Sequence, residues 1–97
     1  MKELNPRQKR YLRGLAHKLK PVVIIGGAGV TDGVINEIHQ SIEHHELIKV
    51  RINAADRHSR GDMIQSICSA TASVLVFSIG HIAVFYRPGK KPVISLP

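Results

Sequence analysis

The residues best suited to chemistry form a short loop, Gly26–Gly29, which we call the glycine loop and which follows the apolar run Val22–Ile25. A loop without bulky side chains lets backbone N–H groups approach another molecule closely. The apolar spacing from Val30 to Ile42 predicts a helix behind the loop, whose N-terminus would add partial positive charge. These features together predict a seat for a phosphate group.

The glycine loop can be compared with three known phosphate-binding motifs. A nucleotide-triphosphate loop needs a Lys-Ser or Lys-Thr pair after its last glycine, and none follows here. Gly27 and Gly29 fit the first two glycines of a dinucleotide-binding fingerprint, but Asp32 occupies the position of the third. The chain is also too short to complete such a site. The KH-type G-x-x-G, which clamps the sugar-phosphate backbone of RNA, fits Gly26–Gly29. A tight strand-to-helix turn without any ligand is the remaining alternative.

The charge balance indicates an anionic partner. The chain has 97 residues, with 14 Lys and Arg against 7 Asp and Glu, for a net charge of +7. Such an excess favours nucleic acid or an acidic membrane surface, and the glycine loop favours nucleic acid. Basic residues concentrate in the first twenty positions, where only Glu3 opposes them.

The remaining reactive residue types show no catalytic or metal-binding pattern. His44-His45 are adjacent, so their side chains diverge on a helix, and helix-end capping is the better interpretation. His58, between Arg57 and Arg60, is a candidate for phosphate or base contact, and His81 fits a turn. No nucleophile motif of the G-x-S-x-G type is present. We therefore expect no enzyme activity, no catalytic residue, no metal and no cofactor.

Cysteine usage and hydropathy point to the cytoplasm. Cys68 is the single cysteine and lies in an apolar helical pattern, so it is expected to be a small buried hydrophobe. The polar start of the chain predicts no signal peptide, and no apolar run is long enough to span a bilayer.

Capping signals and periodicity predict the first helix. Asn5 is its N-cap, Pro6 its first residue and Gln8 the capping-box partner. One face is apolar: Leu12, Leu15, Ala16 and Leu19. The opposite face is basic: Arg10, Arg13, His17 and Lys20. Pro21 is expected to end this helix, and the strand Val22–Ile25 is expected to be covered on both faces.

The later elements alternate between strand and helix. The second helix is capped by Thr31 or a neighbour and ends at His44-His45. A strand at 47–52 turns Ile48, Val50 and Ile52 toward the core and Lys49 and Arg51 away from it. The loop 53–59 leads to a third helix that starts at Ser59 and Asp62 and runs to about residue 72. Strands at 74–79 and 82–87 form a hairpin around Gly80-His81, and 93–96 form a last extended piece.

This order, α-β-α-β-α-β-β, predicts an α/β fold with a mixed four-stranded sheet. Strand–helix–strand units produce parallel pairing, and the final hairpin adds antiparallel pairing. We expect residues 1–97 to form one domain.

Several segments together resemble the CRM-domain family, in particular its bacterial stand-alone form, the YhbY-like proteins. They are Leu4–His17, Gly27–Ile35, His45–Arg51 and the stretch from Ile79 to Pro88. The resemblance implies a fold similar to the C-terminal domain of translation initiation factor three, RNA binding, and association with precursors of the large ribosomal subunit. Related domains in plants serve group II intron splicing. Many relatives have a basic residue inside the G-x-x-G loop, whereas Gly27 and Ala28 leave this loop uncharged.

The sequence therefore predicts an RNA-binding protein that assists ribosome assembly, with large-subunit ribosomal RNA or its precursor as partner and neither a membrane nor a small-molecule substrate. Candidate RNA-binding residues are Gly26, Gly27, Ala28, Gly29, Arg7, Arg10, Arg13, His17, Lys49, Arg51, Arg57 and Arg60. If the first helix packs antiparallel to the strand at 22–25, Arg7 and Arg10 lie near the loop. Lys49 and Arg51 form either a second contact surface or a solvated strand face.

Two alternative functions also fit the sequence. The same glycine loop could serve a small nucleotide-binding or phosphotransfer enzyme, or the domain could be a protein-interaction module. Scarce aromatic residues (two Tyr, two Phe, no Trp) favour recognition of RNA shape and backbone over base stacking.

Overall fold

The computed structural model describes residues 3–97 and contains three helices and four strands. The elements are α1 (Pro6–Ala16), β1 (Pro21–Ile25), α2 (Asp32–His45), β2 (Leu47–Ile52), α3 (Arg57–Thr71), β3 (Val74–Ile79) and β4 (Ile82–Tyr86). The strand order in the sheet is β1-β2-β4-β3. The β1–β2 pair is parallel and the other two pairs are antiparallel, which confirms the predicted mixed α/β sheet.

The connections bring three loops to one end of the sheet. The parallel strands β1 and β2 both end there, since Ile25 pairs with Ile52. The β3–β4 hairpin turns at the same end, where the Ile52 N–H donates to the His81 carbonyl. We call this end, with the glycine loop, residues 53–56 and Gly80-His81, the loop edge. Both α2 and α3 begin at it.

Two helices cover one face of the sheet and one helix covers the other. Ile38 of α2 and Ile67 of α3 are fully buried against Ile25, Val50 and Phe85 of the sheet. On the opposite face, a second cluster joins α1 to the sheet: Leu4, Leu12, Ala16, Leu47, Val76, Val84 and Tyr86. The three helices thus divide unequally between the faces.

Local signals set the starts of α1 and α2 as predicted. The Asn5 side chain accepts the Gln8 N–H at 2.8 Å while Gln8 Oε1 accepts the Asn5 N–H at 3.1 Å, so the capping box forms. Thr31 Oγ1 accepts the Val34 N–H at 3.2 Å and caps α2. The hairpin at Gly80-His81 also forms, with Gly80 at a φ of 56°.

The predicted start of α3 is wrong. Asp56, and not Ser59, is the N-cap, and its carboxylate accepts the Ser59 N–H at 2.7 Å. Asp56 lies three residues before Ser59, competes for the same capping role and begins the helix about one turn earlier. Arg57 therefore lies in the first turn of α3 and not in a free loop.

The expectation that β1 is covered on both faces is also wrong. Val23 and Ile25 are buried beneath α2 and α3, whereas Val22 and Ile24 on the other face are 42% and 64% exposed. The cause is topological, since β1 lies at the sheet edge and α1 packs over β2 and β3. The helix also ends at Ala16, well before Pro21, and Leu15 is 40% exposed.

The C-terminal segment after β4 forms no strand at 93–96, contrary to the prediction. It is held instead by Glu46, which lies just beyond α2 and is only 3% exposed. Glu46 Oε1 accepts the N–H groups of Val93 and Ile94 at 3.0 and 2.9 Å, and Oε2 accepts that of Gly89 at 2.5 Å. Hydrogen bonds to the Glu46 side chain thereby hold this segment in place of the backbone hydrogen bonds that a strand would make.

Candidate nucleic-acid interface

The glycine loop forms a tight turn with an accessible backbone. The Gly29 N–H donates to the Gly26 carbonyl at 3.0 Å and closes the turn. Gly27 and Ala28 at its centre are exposed, and no hydrogen bond among residues 3–97 uses their N–H groups. The loop therefore has two adjacent backbone donors available to an anion.

The glycines differ in what they contribute. Gly29 has a φ of 73°, a left-handed conformation that costs any other L-residue energy. A Cβ on Gly26 or Gly27 would meet no atom within 4 Å, so internal packing does not require glycine there. Gly29 thus shapes the turn, while Gly26 and Gly27 keep the approach to the backbone open.

Two helix N-termini flank the loop edge and carry partial positive charge. The first turn of α3 contains no acidic residue, whereas α2 has Asp32 in its first turn. The backbone and hydroxyl groups of Ser59 hold the pKa of Asp56 below its usual value, so the α3 cap is a carboxylate at neutral pH. The two acidic groups offset part of the favourable dipole for an incoming anion.

Three of the predicted arginines lie at the loop edge. Arg57 is exposed in the first turn of α3. Arg60 donates from Nη1 to the Gly80 carbonyl, which ties α3 to the hairpin. Arg51 is exposed near the end of β2, and its Nε donates to Asn53 Oδ1 at 3.3 Å.

A contact with the glycine loop places the N-terminal part of α3 beside it. Met63 Cε of α3 lies 3.9 Å from where a Cβ on Gly29 would stand. Because Arg60 lies one turn before Met63, the arginine-bearing end of α3 adjoins the loop. The structure thus places the glycine loop, Arg51, Arg57 and Arg60 at the same end of the sheet.

The cations of α1 lie elsewhere, and the expectation that Arg7 and Arg10 lie near the loop is wrong. Gln8 Nε2 donates to the Pro97 carbonyl at 3.4 Å, and Leu4 packs with Tyr86 at the far end of β4. The N-terminal half of α1 is therefore at the end of the sheet opposite the loop edge. Arg7, Arg10, Arg13 and His17 are all exposed there or along the helix.

Two of the basic side chains make specific packing contacts. The Arg13 guanidinium lies over the Phe77 ring, 4.7 Å from its centroid, in a cation–π contact. Lys49 is half-buried on the α1 side of the sheet, beside Leu15 and Val22. These residues belong to the face of the sheet and not to the loop edge.

Three of the histidines have local polar partners. His44 Nδ1 bonds the Gln40 carbonyl at 2.9 Å within the last turns of α2, as expected for a helix-end role. His81 Nδ1 bonds the Ile52 carbonyl at 3.2 Å, and His58 lies 3.5 Å from Asp62. Among residues 3–97, no three His, Cys, Asp or Glu side chains are grouped to hold a metal ion.

No helix in the described part of the chain is both long and apolar enough to cross a membrane. Cys68 is half-buried against the α2–α3 core, and burial raises the pKa of its thiol.

Comparison with known proteins identifies the family. Residues 4–87 match the CRS1 / YhbY (CRM) domain. The chain belongs to the CRS1/YhbY (CRM) domain family. Since the match covers α1 through β4, it includes the glycine loop and every arginine named above.

Relatives in bacteria and plants share different lengths of this domain. An "RNA-binding protein" of Haemophilus influenzae is 47% identical over 97 residues, which are 100% of this chain and 98% of that protein. The chloroplastic group IIA intron splicing facilitator CRS1 of Zea mays is 40% identical over 47 residues, 48% of this chain and 7% of that protein.

A solved structure has the same fold. The solution structure of a Staphylococcus aureus protein, described as a candidate RNA-binding protein, superposes with a TM-score of 0.84 at 38% identity. The superposition covers 98% of this chain and 100% of that one. The α/β fold predicted from the sequence is confirmed.

Proposed function

We propose that this protein binds RNA at the loop edge, where the free N–H groups of Gly27 and Ala28 and the side chains of Arg51, Arg57 and Arg60 contact the sugar-phosphate backbone. The observation that carries the proposal is that an open glycine turn lies at the same end of the sheet as three arginines, one from β2 and two from α3. The names of the Haemophilus and Staphylococcus relatives support the same ligand class.

Backbone recognition suits the side chains at hand. Phe85 and Tyr86 are buried, and Phe77 lies beneath Arg13, so these rings are not open to bases. Tyr11 on α1 is the exposed aromatic residue among those described. Since base readers stack bases on exposed rings, the protein recognises the shape and phosphates of structured RNA.

The partner that we propose is ribosomal RNA of the large subunit or its precursor, bound during assembly in the cytoplasm. The protein acts there without catalysis, cofactor or small-molecule substrate. Support comes from the family's RNA-linked members and from the excess of positive charge, which suits a large polyanion.

The basic face of α1 forms a second contact with the same RNA in this proposal. Arg7, Arg10, Arg13 and His17 project to solvent away from the loop edge. An RNA large enough to span the domain, whose longest dimension is 37 Å, reaches both surfaces.

Salt titration of RNA affinity separates these contributions. In a plot of the logarithm of affinity against the logarithm of salt concentration, each phosphate contact contributes about −0.7 to −0.9 to the slope. We expect Arg57→Ala with Arg51→Ala to reduce the slope by about 1.5 and Lys90→Ala with Lys91→Ala, a matched loss of charge on the tail, to change it less.

A loop variant tests the backbone donors directly. Gly27→Asp with Ala28→Asp places two carboxylates at the donor pair, where a Cβ on Gly27 meets no neighbouring atom. We expect a marked loss of affinity for large-subunit ribosomal RNA with unchanged thermal stability. Full affinity in this variant would move the site to α1. Specific binding of labelled ATP or GTP in place of RNA would favour the nucleotide-enzyme alternative.

A further inference from the structure

The face of the sheet that carries α1 is only partly covered. Four strands spaced about 4.8 Å apart occupy about 19 Å of width, while one helix with its side chains is about 10 Å wide. The opposite face has two helices, α2 and α3, but this face has one helix, α1, over β2 and β3, with Ile94 and Leu96 of the C-terminal segment packed beside it. The β1 side therefore has room for about one more helix.

The open part of this face is an apolar groove beside the C-terminal end of α1. Leu15, Leu19, Val22, Leu47 and Ile94 line it. Leu15 and Val22 are 40% and 42% exposed, and Ile24 continues the apolar strip along β1 with 64% exposure. The sugar-phosphate backbone of RNA would leave these apolar surfaces in contact with water, whereas an apolar helix face would bury them.

Cations border the groove. Lys20 and Lys49 line it together with His45, and no acidic side chain is among its lining residues. A second copy of this chain, with a net charge of +7, would bring like charges together. The border therefore favours a partner with carboxylates beside its apolar residues.

We propose that this groove binds an acidic amphipathic helix of a partner protein, with its apolar side chains on Leu15 and Val22 and its carboxylates at Lys20 and Lys49. Val22 and Leu47 lie at the N-terminal ends of β1 and β2, so the groove is at the end of the sheet opposite the loop edge. The protein can thus bind RNA at the loop edge and a protein helix in the groove at the same time.

The test uses a fluorescein-labelled synthetic helix of leucine and glutamate at amphipathic spacing, with a leucine–lysine version as control. We expect saturable binding of the acidic peptide alone, measured by anisotropy. Lys20→Glu with Lys49→Glu should weaken it at least about tenfold. Lys90→Glu with Lys91→Glu, an equal change of net charge on the tail, should leave it within about twofold.

A second set of variants, one in the groove and one outside it, tests the apolar contribution to peptide binding. Leu15→Ser with Val22→Ser removes two exposed groove side chains and should abolish peptide binding, while Ile79→Ser, at 61% exposure on β3, should not. Equal weakening by both charge pairs, or no saturable binding, would overturn the proposal. Displacement of the peptide by RNA, with loss of RNA affinity in the Leu15 and Val22 variant, would assign the groove to RNA instead.

Discussion

Replacement of Glu46 by glutamine should release the C-terminal segment from the domain. The buried carboxylate accepts three backbone N–H groups, from Gly89, Val93 and Ile94. A hydrogen bond to a charged group contributes about 1.5–3 kcal/mol, and a neutral one about 1 kcal/mol. Glutamine keeps one oxygen for two neutral bonds and turns an amide NH2 toward the third donor.

These contributions predict a loss of at least about 2.5 kcal/mol in the free energy of unfolding. A domain of this size has about 5–15 kcal/mol in total, so Glu46→Gln should still fold. Urea denaturation measures the loss, and hydrogen exchange should show faster exchange at the amides of Gly89, Val93 and Ile94. Glu43→Gln, an exposed change one turn earlier on α2, is the matched control and should cost less than about 0.5 kcal/mol.

The pH dependence provides an independent check. Burial by itself raises the pKa of Glu46, but the three N–H donors together outweigh it and hold the pKa below its usual value. The folded state then binds this proton less tightly than the unfolded chain. The stability that the Glu46 carboxylate contributes is complete above the unfolded carboxyl pKa of about 4.3. This stability is lost as pH falls through the pKa of the folded state.

The difference between the natural protein and Glu46→Gln should therefore be constant near neutral pH and shrink in acid. A difference below about 0.5 kcal/mol at neutral pH, with unchanged exchange in the tail, would refute the reasoning, because the three bonds would then contribute nothing net.

Three further predictions concern the loop, α2 and the core. Gly29→Ala should cost about 1–2 kcal/mol because of its φ of 73°, while Gly27→Ala should be near neutral; equal effects in urea denaturation would contradict this. Thr31→Ala should cost about 1 kcal/mol of thermal or urea stability and Thr31→Ser much less, since only the capping oxygen matters. Burial raises the pKa of Cys68, so iodoacetamide should modify it more slowly in the native protein than in urea at about pH 8, as followed by mass spectrometry.

Much of the local structure could be predicted because its causes are local. The capping box at Asn5 and the Gly80-His81 turn depend on residues a few positions apart. The alternation of Ile48, Val50 and Ile52 was also enough to identify the buried face of β2. The error at Asp56 arose where two capping residues competed for a single helix start.

The arrangement of the candidate site could not be predicted from spacing. Arg57 and Arg51 join the glycine loop because parallel strands end at the same side of the sheet, which brings residues about thirty positions apart together. The helix α1, with Arg7 and Arg10, packs elsewhere because its apolar face fits over β2 and β3.

The run Val22–Ile25 shows the same division most clearly. Its composition determined that it would be a strand and that the glycines after it would turn into α2. Composition did not determine what would cover it, since that depends on how many helices reach each face. With two helices on one side and one on the other, only the tertiary structure decided that Ile24 would be exposed while Ile25 is buried.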